Sequence, residues 1–351
     1  MAHAPAAAGP AAGACAPGAA RPAQRRRRVR AAAAVWGVKR AGRAAVSCGA
    51  LRLFALPVPV STAPFPASSA APVAPAALLR LRDDSFDPNH RAAYNLYLAV
   101  GAGRLRMAAV EVARQSFVLL EDYALPPGGL PTLAAAHDCL GRAGWHAVRL
   151  ATTGRAFTLL PGALFRPGDE AAALRLHHTL GPAEAAYARP HPGLDLVNVF
   201  AADAGLAGWL AATHGPSGQL LHHTSGLLAG LAHQRDAGAP RQLYLCLGAQ
   251  ELTLVVLGPQ QLQYCNVFPF TTAEDVLYYT VLVMQELGLN PDQDELTVWG
   301  ELTHDSALFT LLRNYVRNVR FGPRPYDLLY SYRLNEVFEH HYFDLFSLHF
   351  I

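Results

Sequence analysis

The sequence predicts an α/β fold built twice, in which each of two lobes holds a mixed sheet flanked by helices. Three observations support this prediction. Residues 94–123 and 242–270 both consist of short apolar runs separated by Gly-containing turns, which is typical of three-stranded meanders. Each meander is followed by apolar residues at helical spacing and then by another apolar strand. The first 80 residues lack this pattern, so we expect the ordered body to begin near residue 81.

Residues 1–80 form an extension of different composition. No Asp or Glu precedes Asp83, and ten arginines and Lys39 give these residues a charge of +11 among Ala, Pro, Gly and Ser. Such a segment buries too little apolar surface to offset its chain entropy, so we expect disorder. The basic run at 25–28 leaves three interpretations open: a nucleic-acid-binding arm, a targeting signal, or a mis-assigned start in a GC-rich gene.

The composition of residues 81–351 excludes several classes of protein. They carry 18 arginines and 26 acidic residues, a net charge of −8, which argues against broad binding of nucleic acid through phosphate neutralisation. No apolar stretch reaches the roughly 18 residues that a membrane span requires, and no convincing secretory signal is present. No CxxC pair or zinc-ligand spacing occurs among Cys15, Cys48, Cys139, Cys246 and Cys265. We therefore expect a cytoplasmic protein in a reducing compartment, without membrane contact.

The first lobe is predicted to span residues 81–240. Strands are expected at 95–100, 105–112, 116–123, 145–152, 156–165, 194–201 and 219–223. Helices are expected at 131–143, 169–180, 204–214 and 224–234. The loop at 235–241, which contains Gly238 and Pro240, is the predicted boundary with the second lobe.

The second lobe is predicted to span residues 241–351. Strands are expected at 243–247, 252–257, 262–268 and 296–302. A capping box from Thr271 to Glu274 is expected to start a helix that ends at residue 287, and Thr303 or Asp305 to cap a second helix whose apolar stripe reaches Val319. The aromatic residues of 326–351 are expected to pack on this lobe; the alternative is a docking segment for another protein or a homodimer.

The two halves share the order strand, strand, strand, helix, strand, helix. This order matches the duplicated unit of the actin-like (ribonuclease H-like) folds, which include sugar kinases and heat-shock ATPases. Periodicity alone would also allow an unrelated mixed sheet.

Six motifs sharpen the prediction of the family: NVFPF at 266–270, EDVLYY at 274–279, GEL at 300–302, DSAL at 305–308, YVRNVRF at 315–321 and EHHYF at 339–343. Together they resemble the bacterial family of domain of unknown function 3822. The resemblance covers residues 83–351 and is strongest after residue 266. That family is grouped with the actin-like ATPases, so the resemblance implies the duplicated two-lobed fold and leaves the function open.

The actin-like resemblance places a nucleotide site at three turns, where ATPases of this fold carry an Asp in each lobe to organise Mg²⁺ and a Gly-Gly pair near the adenosine. The candidates here are Gly101 and Gly103 in the first turn, Gly248 in the second, and Gly300 with Glu301 in the third. Neither of the first two turns contains an Asp, and the carboxylate of Glu301 would repel phosphate. We therefore expect a degenerate site without a cofactor, and weak binding of ATP and Mg²⁺ stays open.

Other catalytic chemistries lack their residues. The predicted lobes contain no lysine, which excludes a Walker A loop, a protein-kinase strand lysine and a Schiff base. The histidine pairs at 177–178, 222–223 and 340–341 are poor chelates, because adjacent side chains point apart. Glu301, His304 and Asp305 share one loop and allow either acid–base chemistry or simple capping of the next helix. We predict no catalytic residue and no metal ligand.

An interaction surface is the remaining candidate. Arg313, Arg317 and Arg320 are spaced i, i+4 and i+7 on the predicted last helix, opposite its apolar stripe. They are either a solvated face or a surface for a partner. The sequence thus predicts a noncatalytic scaffold or adaptor with an unknown protein partner or a homodimer. The alternative is a nucleotide-binding ATPase with unconventional ligands.

Overall fold

The computed structural model describes residues 76–235, 238, 241–259 and 261–351. In chain order the first part contains β1 (Ala77–Arg82), β2 (Tyr94–Gly101), β3 (Arg104–Glu111), β4 (Ser116–Ala124), α1 (Gly129–Ala136), β5 (Ala147–Thr152), β6 (Phe157–Pro161), α2 (Glu170–Leu174), β7 (Glu184–His191), β8 (Leu196–Asp203), α3 (Ala204–His214), β9 (Gly218–His222) and α4 (His223–Gln234). There follow β10 (Gln242–Leu247), β11 (Glu251–Leu257), β12 (Leu262–Pro269), α5 (Ala273–Glu286), β13 (Glu295–Trp299), α6 (Ala307–Tyr315), β14 (Asn318–Phe321), β15 (Leu329–Tyr330) and α7 (Phe343–Phe346).

The predicted duplication is present in the sheets. The first sheet has the order β1-β4-β3-β2-β5-β9 and the second the order β12-β11-β10-β13-β14. In each, three antiparallel strands of a meander are followed by two strands added in parallel to the first strand of the meander. We call the parts built on these sheets the first and second lobes. Mixed sheets of this arrangement, with helices packed on them, form the predicted α/β fold.

An additional three-stranded sheet of order β6-β8-β7 interrupts the first lobe between β5 and α3. Strand β7 was not predicted from the sequence. Its residues are half-buried along most of the strand, and its sequence, EAAYARPH, lacks the alternation of apolar and polar residues that marks a strand. The short helix α2 packs on one face of this sheet through Leu174, so the predicted helix at 169–180 is confirmed only over five residues.

The first described strand reaches into the predicted N-terminal extension. Strand β1 begins at Ala77 and pairs antiparallel with β4, so it crosses the expected limit at residue 80. The arginines Arg80 and Arg82 of β1 bond to the buried Glu121 of β4, which a composition argument could not anticipate. The rest of the predicted extension, residues 1–75, lies outside the described residues.

The C-terminal segment packs differently from the prediction. Leu345, Phe346 and Leu348 are buried against Tyr97 and Phe117 on one face of the first sheet, whereas Phe343 alone of this group stacks on a second-lobe ring, Trp299, at 4.3 Å. Strand β15 also pairs with β4 of the first lobe. The segment therefore returns to the first lobe, where its apolar side chains cluster with Tyr97 and Ala99 of β2 and with Ala108 and Val110 of β3 on one face of the sheet.

Two predicted caps are shifted by one position or more. The capping box of α5 uses Thr272 and Asp275, not Thr271 and Glu274. Helix α6 is capped by the side chain of Ser306, and neither Thr303 nor Asp305 caps it. In the described part of the chain, no helix combines the length and the apolar character needed to cross a membrane.

Candidate functional site

A cleft of about 820 Å³ lies between the two lobes, and both meander turns face it. Of the five predicted nucleotide-site residues, Gly101, Gly248, Gly300 and Glu301 line this cleft, whereas Gly103 does not. The two sheets have the same topology, so the turn that follows the first meander strand lies at the corresponding end of each sheet. This explains why the two turns meet at the cleft. The sequence therefore identified most of the turns that form the cleft.

The glycines of the first turn are explained by backbone conformation and by packing. Gly101 pairs with Arg104, so Ala102 and Gly103 form a two-residue hairpin turn in which both have positive φ, 48° and 71°. A Cβ on Gly101 would lie 1.7 Å from the hydroxyl oxygen of Thr153. Hairpin geometry and close packing thus account for both glycines without a bound phosphate.

The second and third turns are also closed by the chain itself. The amide of Gly248 donates to the carbonyl oxygen of Glu251 at 2.8 Å. Gly300 has φ 129°, its amide donates to the carbonyl of His340 at 2.9 Å, and an added Cβ would lie 2.6 Å from the carbonyl oxygen of Leu247. Gly300 therefore permits a close approach of two backbones, which any side chain would prevent.

Ion pairs join the lobes at the mouth of the cleft. Arg104 of the first lobe lies 3.1 Å from a carboxylate oxygen of Glu301 in the second, and it also bonds to the buried Asp122. Arg155 lies 3.7 Å from Glu251. Burial raises the pKa of Glu251, although the Arg155 charge opposes the shift. Glu301, predicted as a defect of the site, is thus a partner of an arginine.

The floor of the cleft holds a more buried pair. Arg106 donates to both carboxylate oxygens of Asp344, at 2.9 and 2.7 Å. Burial alone would raise the pKa of Asp344, but the charge and hydrogen bonds of Arg106 outweigh it and lower the pKa. This bidentate pair connects β3 to α7, so it fixes the C-terminal segment beneath the cleft.

His223, the first residue of α4, lies at the same floor. One of its ring nitrogens, Nε2, lies 3.2 Å from the hydroxyl of Thr253 in the second lobe, while Nδ1 is buried without a partner among the described residues. Burial lowers the pKa of His223 to about 4, so the ring is neutral at physiological pH. Nearby, burial raises the pKa of the Cys246 thiol well above its usual range, which leaves no reactive thiolate.

The arginines predicted as an interaction surface do not share a helix. Helix α6 ends at Tyr315, so Arg313 is helical, Arg317 follows the helix, and Arg320 lies in β14. This corrects the predicted helix through Val319. Residues 318–321 pair with β13 as a strand, since a parallel neighbour with a free edge was available to them. All three side chains are exposed, and Arg320 pairs with Glu295 at 2.5 Å.

Among the described residues, one cluster has the spacing of a metal site, formed by His137, Asp138 and Cys139. It lies outside the cleft, and both ring nitrogens of His137 are engaged. Nε2 is 2.9 Å from Glu121, and Nδ1 accepts from the amide of Leu140 at 3.1 Å. The cluster is therefore part of the hydrogen-bond network that anchors β1 to β4.

Sequence reasoning found Glu301 but missed the arginines of the cleft and Asp344. Arg104 directly follows the first turn, and Arg106 lies two residues further on the same side of β3, so strand alternation could have drawn attention to both. Nothing in the sequence indicates Asp344, which is 238 residues from Arg106. Only the path of the C-terminal segment brings it to the cleft.

Comparison with known proteins agrees with this architecture. A family model described as "Protein of unknown function (DUF3822)" matches residues 83–319. No curated protein gives a significant match.

Solved structures with a similar fold include a Bacteroides thetaiotaomicron protein with an actin-like ATPase fold and unknown function. It is 17% identical with a TM-score of 0.61, over 68% of this chain and 93% of that one. The PilM-PilN type IV pilus biogenesis complex is 18% identical over 74% and 98%, with a TM-score of 0.45. EutJ, an ethanolamine utilization protein from Carboxydothermus hydrogenoformans, is 12% identical over 65% and 84%, with a TM-score of 0.32. Of these three structures, the last two have TM-scores below 0.5 and carry no argument, so the comparison of folds rests on the Bacteroides structure.

The family match covers more than half of the chain, and the Bacteroides structure shares its two-lobed architecture. This chain therefore belongs to the DUF3822 family of proteins of unknown function, and it has the actin-like ATPase fold.

Proposed function

We propose that this chain is a noncatalytic, cytoplasmic binding protein of actin-like fold, a scaffold or adaptor whose interlobe cleft does not take a nucleotide. One observation carries the proposal. The three arginines that line the cleft, Arg104, Arg106 and Arg155, each pair with a carboxylate of the chain itself. A triphosphate entering the cleft would have to displace these carboxylates, so it would gain little from the arginines.

The donor set of the turns is also a poor fit for Mg²⁺-ATP. Mg²⁺ requires oxygen ligands in a nearly octahedral arrangement, usually one or two carboxylates together with phosphates and waters. The first turn offers no carboxylate, and Glu251 and Glu301 are engaged by arginines. The amide of Gly248 already bonds to the carbonyl of Glu251, so it is not free for a phosphate.

A second candidate function rests on the same carboxylates. Glu251 and Glu301 both line a cleft of about 820 Å³, a volume in the usual range for small-molecule sites. If they exchanged their arginines for a cation, the chain would bind nucleotide through unconventional ligands. The two functions differ in what they predict for nucleotide binding.

Thermal unfolding of the full chain with and without Mg²⁺-ATP separates them. A ligand at a hundred times its dissociation constant stabilises a protein by about 2.7 kcal/mol. The scaffold proposal predicts an unchanged melting temperature with millimolar Mg²⁺-ATP or Mg²⁺-ADP. A clear rise in the wild type that disappears in Glu301→Gln, but persists in Glu274→Gln, would support the nucleotide function instead.

The control replaces an exposed carboxylate on α5 that does not line the cleft. Substitution of Gly300 is unsuitable for this purpose. Its Cβ would meet the backbone of Leu247 whether or not a nucleotide binds, so the fold itself would be disturbed.

A further inference from the structure

A second hollow, of about 730 Å³, lies on the second lobe beside the edge strand β14, and it shares no lining residue with the interlobe cleft. We call it the aromatic groove. Its lining includes His304, Asp305, Phe321, Tyr326, Phe338 and Glu339. Two of its rings, Tyr326 and Phe338, are 52% and 57% exposed. Large aromatic side chains are usually covered, so this exposure indicates a surface for a partner.

The rings of the aromatic groove form a column from the core to the surface. Phe309 stacks on Phe321 with ring centroids 4.4 Å apart, Phe321 stacks on His340 at 4.0 Å, and His340 lies against Phe338 at 5.4 Å. Neighbouring planes differ by no more than 19°. Phe309 is buried and Phe338 is exposed. The column therefore ends at a ring on which a further planar group can stack.

The charges of the groove select the kind of planar group. Asp305 and Glu339 are exposed and line the groove, and neither forms an ion pair with a described residue. Arg320 forms an ion pair with Glu295. The ring of His340 bonds to the carbonyl of Leu302 at 2.7 Å, and burial lowers its pKa, so it adds no positive charge near neutral pH. Among the described residues, these two carboxylates thus have no ion-pair partner at the open end of the aromatic column. The more distant charge of Arg324 still acts on Glu339, but its guanidinium bonds to the carbonyls of Leu334 and Val337.

We propose that the aromatic groove binds an arginine side chain presented by a peptide segment of a partner protein. A guanidinium group is planar, stacks on aromatic rings and pairs with carboxylates through two parallel hydrogen bonds. Lysine meets only the charge requirement, and a neutral aromatic side chain meets only the stacking requirement. This partner class deepens the proposed scaffold function and rests on it.

Fluorescence anisotropy of a labelled tetra-arginine peptide tests the proposal on the full chain. Tetra-lysine and tetra-citrulline serve as comparison peptides, since citrulline keeps the planar shape without the charge. We expect binding in the order arginine, lysine, citrulline. The double variant Asp305→Asn with Glu339→Gln should weaken tetra-arginine binding by about tenfold or more, and Phe338→Ala should weaken it as well while reducing the preference for arginine over lysine.

The matched control is Glu274→Gln with Glu286→Gln, which removes the same charge from exposed positions on α5. This control should bind tetra-arginine as the wild type does. Equal losses in the groove and control variants would mean general attraction to an acidic body and would overturn the proposal, as would citrulline binding as tightly as arginine or no binding of tetra-arginine. These outcomes concern the groove alone. The proposed scaffold function is tested separately at the interlobe cleft, where a rise in melting temperature with nucleotide would contradict it.

Discussion

The floor and the mouth of the interlobe cleft contain the same kind of interaction in different surroundings. At the floor, Arg106 and Asp344 form two short hydrogen bonds, and their side chains are 21% and 13% exposed. At the mouth, Arg155 reaches Glu251 only at 3.7 Å and is 59% exposed. Solvent screens the pair at the mouth, whereas removal of one partner at the floor leaves a largely buried charge. The floor therefore holds the chain together, and the mouth mainly sets the charge that an incoming ligand meets.

The largest effect is expected from Asp344→Ala at the floor. It leaves the Arg106 charge without a partner, so we expect a loss of about 3 kcal/mol in the free energy of unfolding. Urea unfolding followed by circular dichroism measures it. Asp84→Ala is the matched control, since Asp84 is 79% exposed and lies 3.5 Å from Arg333, and it should cost less than about 1 kcal/mol. Similar losses in the two variants would contradict the distinction between buried and exposed ion pairs, on which the contrast of floor and mouth rests.

Gly300→Ala tests whether the mouth is also held by its backbone. The new Cβ would lie 2.6 Å from the carbonyl of Leu247 in a backbone conformation with φ 129°, and we expect a loss of about 2 kcal/mol. Gly208→Ala is the control, because Gly208 lies within α3 and an added Cβ meets nothing within 4 Å. That control should be neutral or stabilising by about 1 kcal/mol. A harmless Gly300→Ala would show that the third turn can relax.

The pH dependence of stability tests the buried histidine of the floor. The pKa of His223 is lowered by burial from 6.5 to about 4, with Asp344 opposing the shift and Arg106 adding to it. As the pH falls, the unfolded chain therefore binds this proton before the folded chain does. The contribution of His223 to the free energy of unfolding is fully present above pH 6.5 and decreases as the pH falls toward 4. Burial also lowers the pKa of His214 and His222, which contribute in the same direction.

His223→Gln should therefore flatten part of this decline, when unfolding is measured in urea at several pH values. His146→Gln, which replaces an exposed ring, is the control and should leave the profile as in the wild type. An unchanged slope in His223→Gln would mean that the ring is not kept neutral by its burial.

The smallest effect is expected from Glu301→Gln at the mouth. The Glu301 side chain is 57% exposed and pairs with Arg104, so its loss should cost less than about 1 kcal/mol. The difference from the wild type should shrink further in 1 M salt. At that ionic strength the Debye length is only about 3 Å, so attraction between exposed charges is weakened. A larger loss in the free energy of unfolding that salt does not reduce would mean that this pair behaves like the buried pair at the floor.

Local patterns in the sequence predicted much of the fold. Each end of the meander strands lies within one residue of its predicted position, and helix α3 has the predicted bounds, Ala204–His214. Apolar periodicity and turn residues carry this information because they act between near neighbours in sequence. Helix α6 and strand β14 show the limit. The apolar stripe of residues 307–319 favoured one long helix. In the structure, residues 318–321 pair with β13 instead, and the helix ends at Tyr315.

The candidate site was predicted only in outline. Gly101, Gly248, Gly300 and Glu301 were found because glycines at turns and a charge beside them are visible in the sequence. The partners Arg104 and Arg155 were not, since a surface arginine has no pattern that reveals which carboxylate it will meet. The aromatic groove was likewise not predicted, because its column joins Phe309, Phe321, His340 and Phe338 from three separate segments.

By itself, the sequence determined the duplicated lobes, the glycine turns and the absence of Asp from the first two of them, because each follows from residues close together in the chain. Only the tertiary structure decided where the C-terminal segment packs and which charges pair across the cleft. Packing preferences of apolar residues do not specify a partner surface, and Coulomb attraction depends on distances that only the folded chain sets. Residues close together in the chain thus determine the actin-like architecture, whereas the chemistry of its cleft arises from contacts between distant parts of the chain.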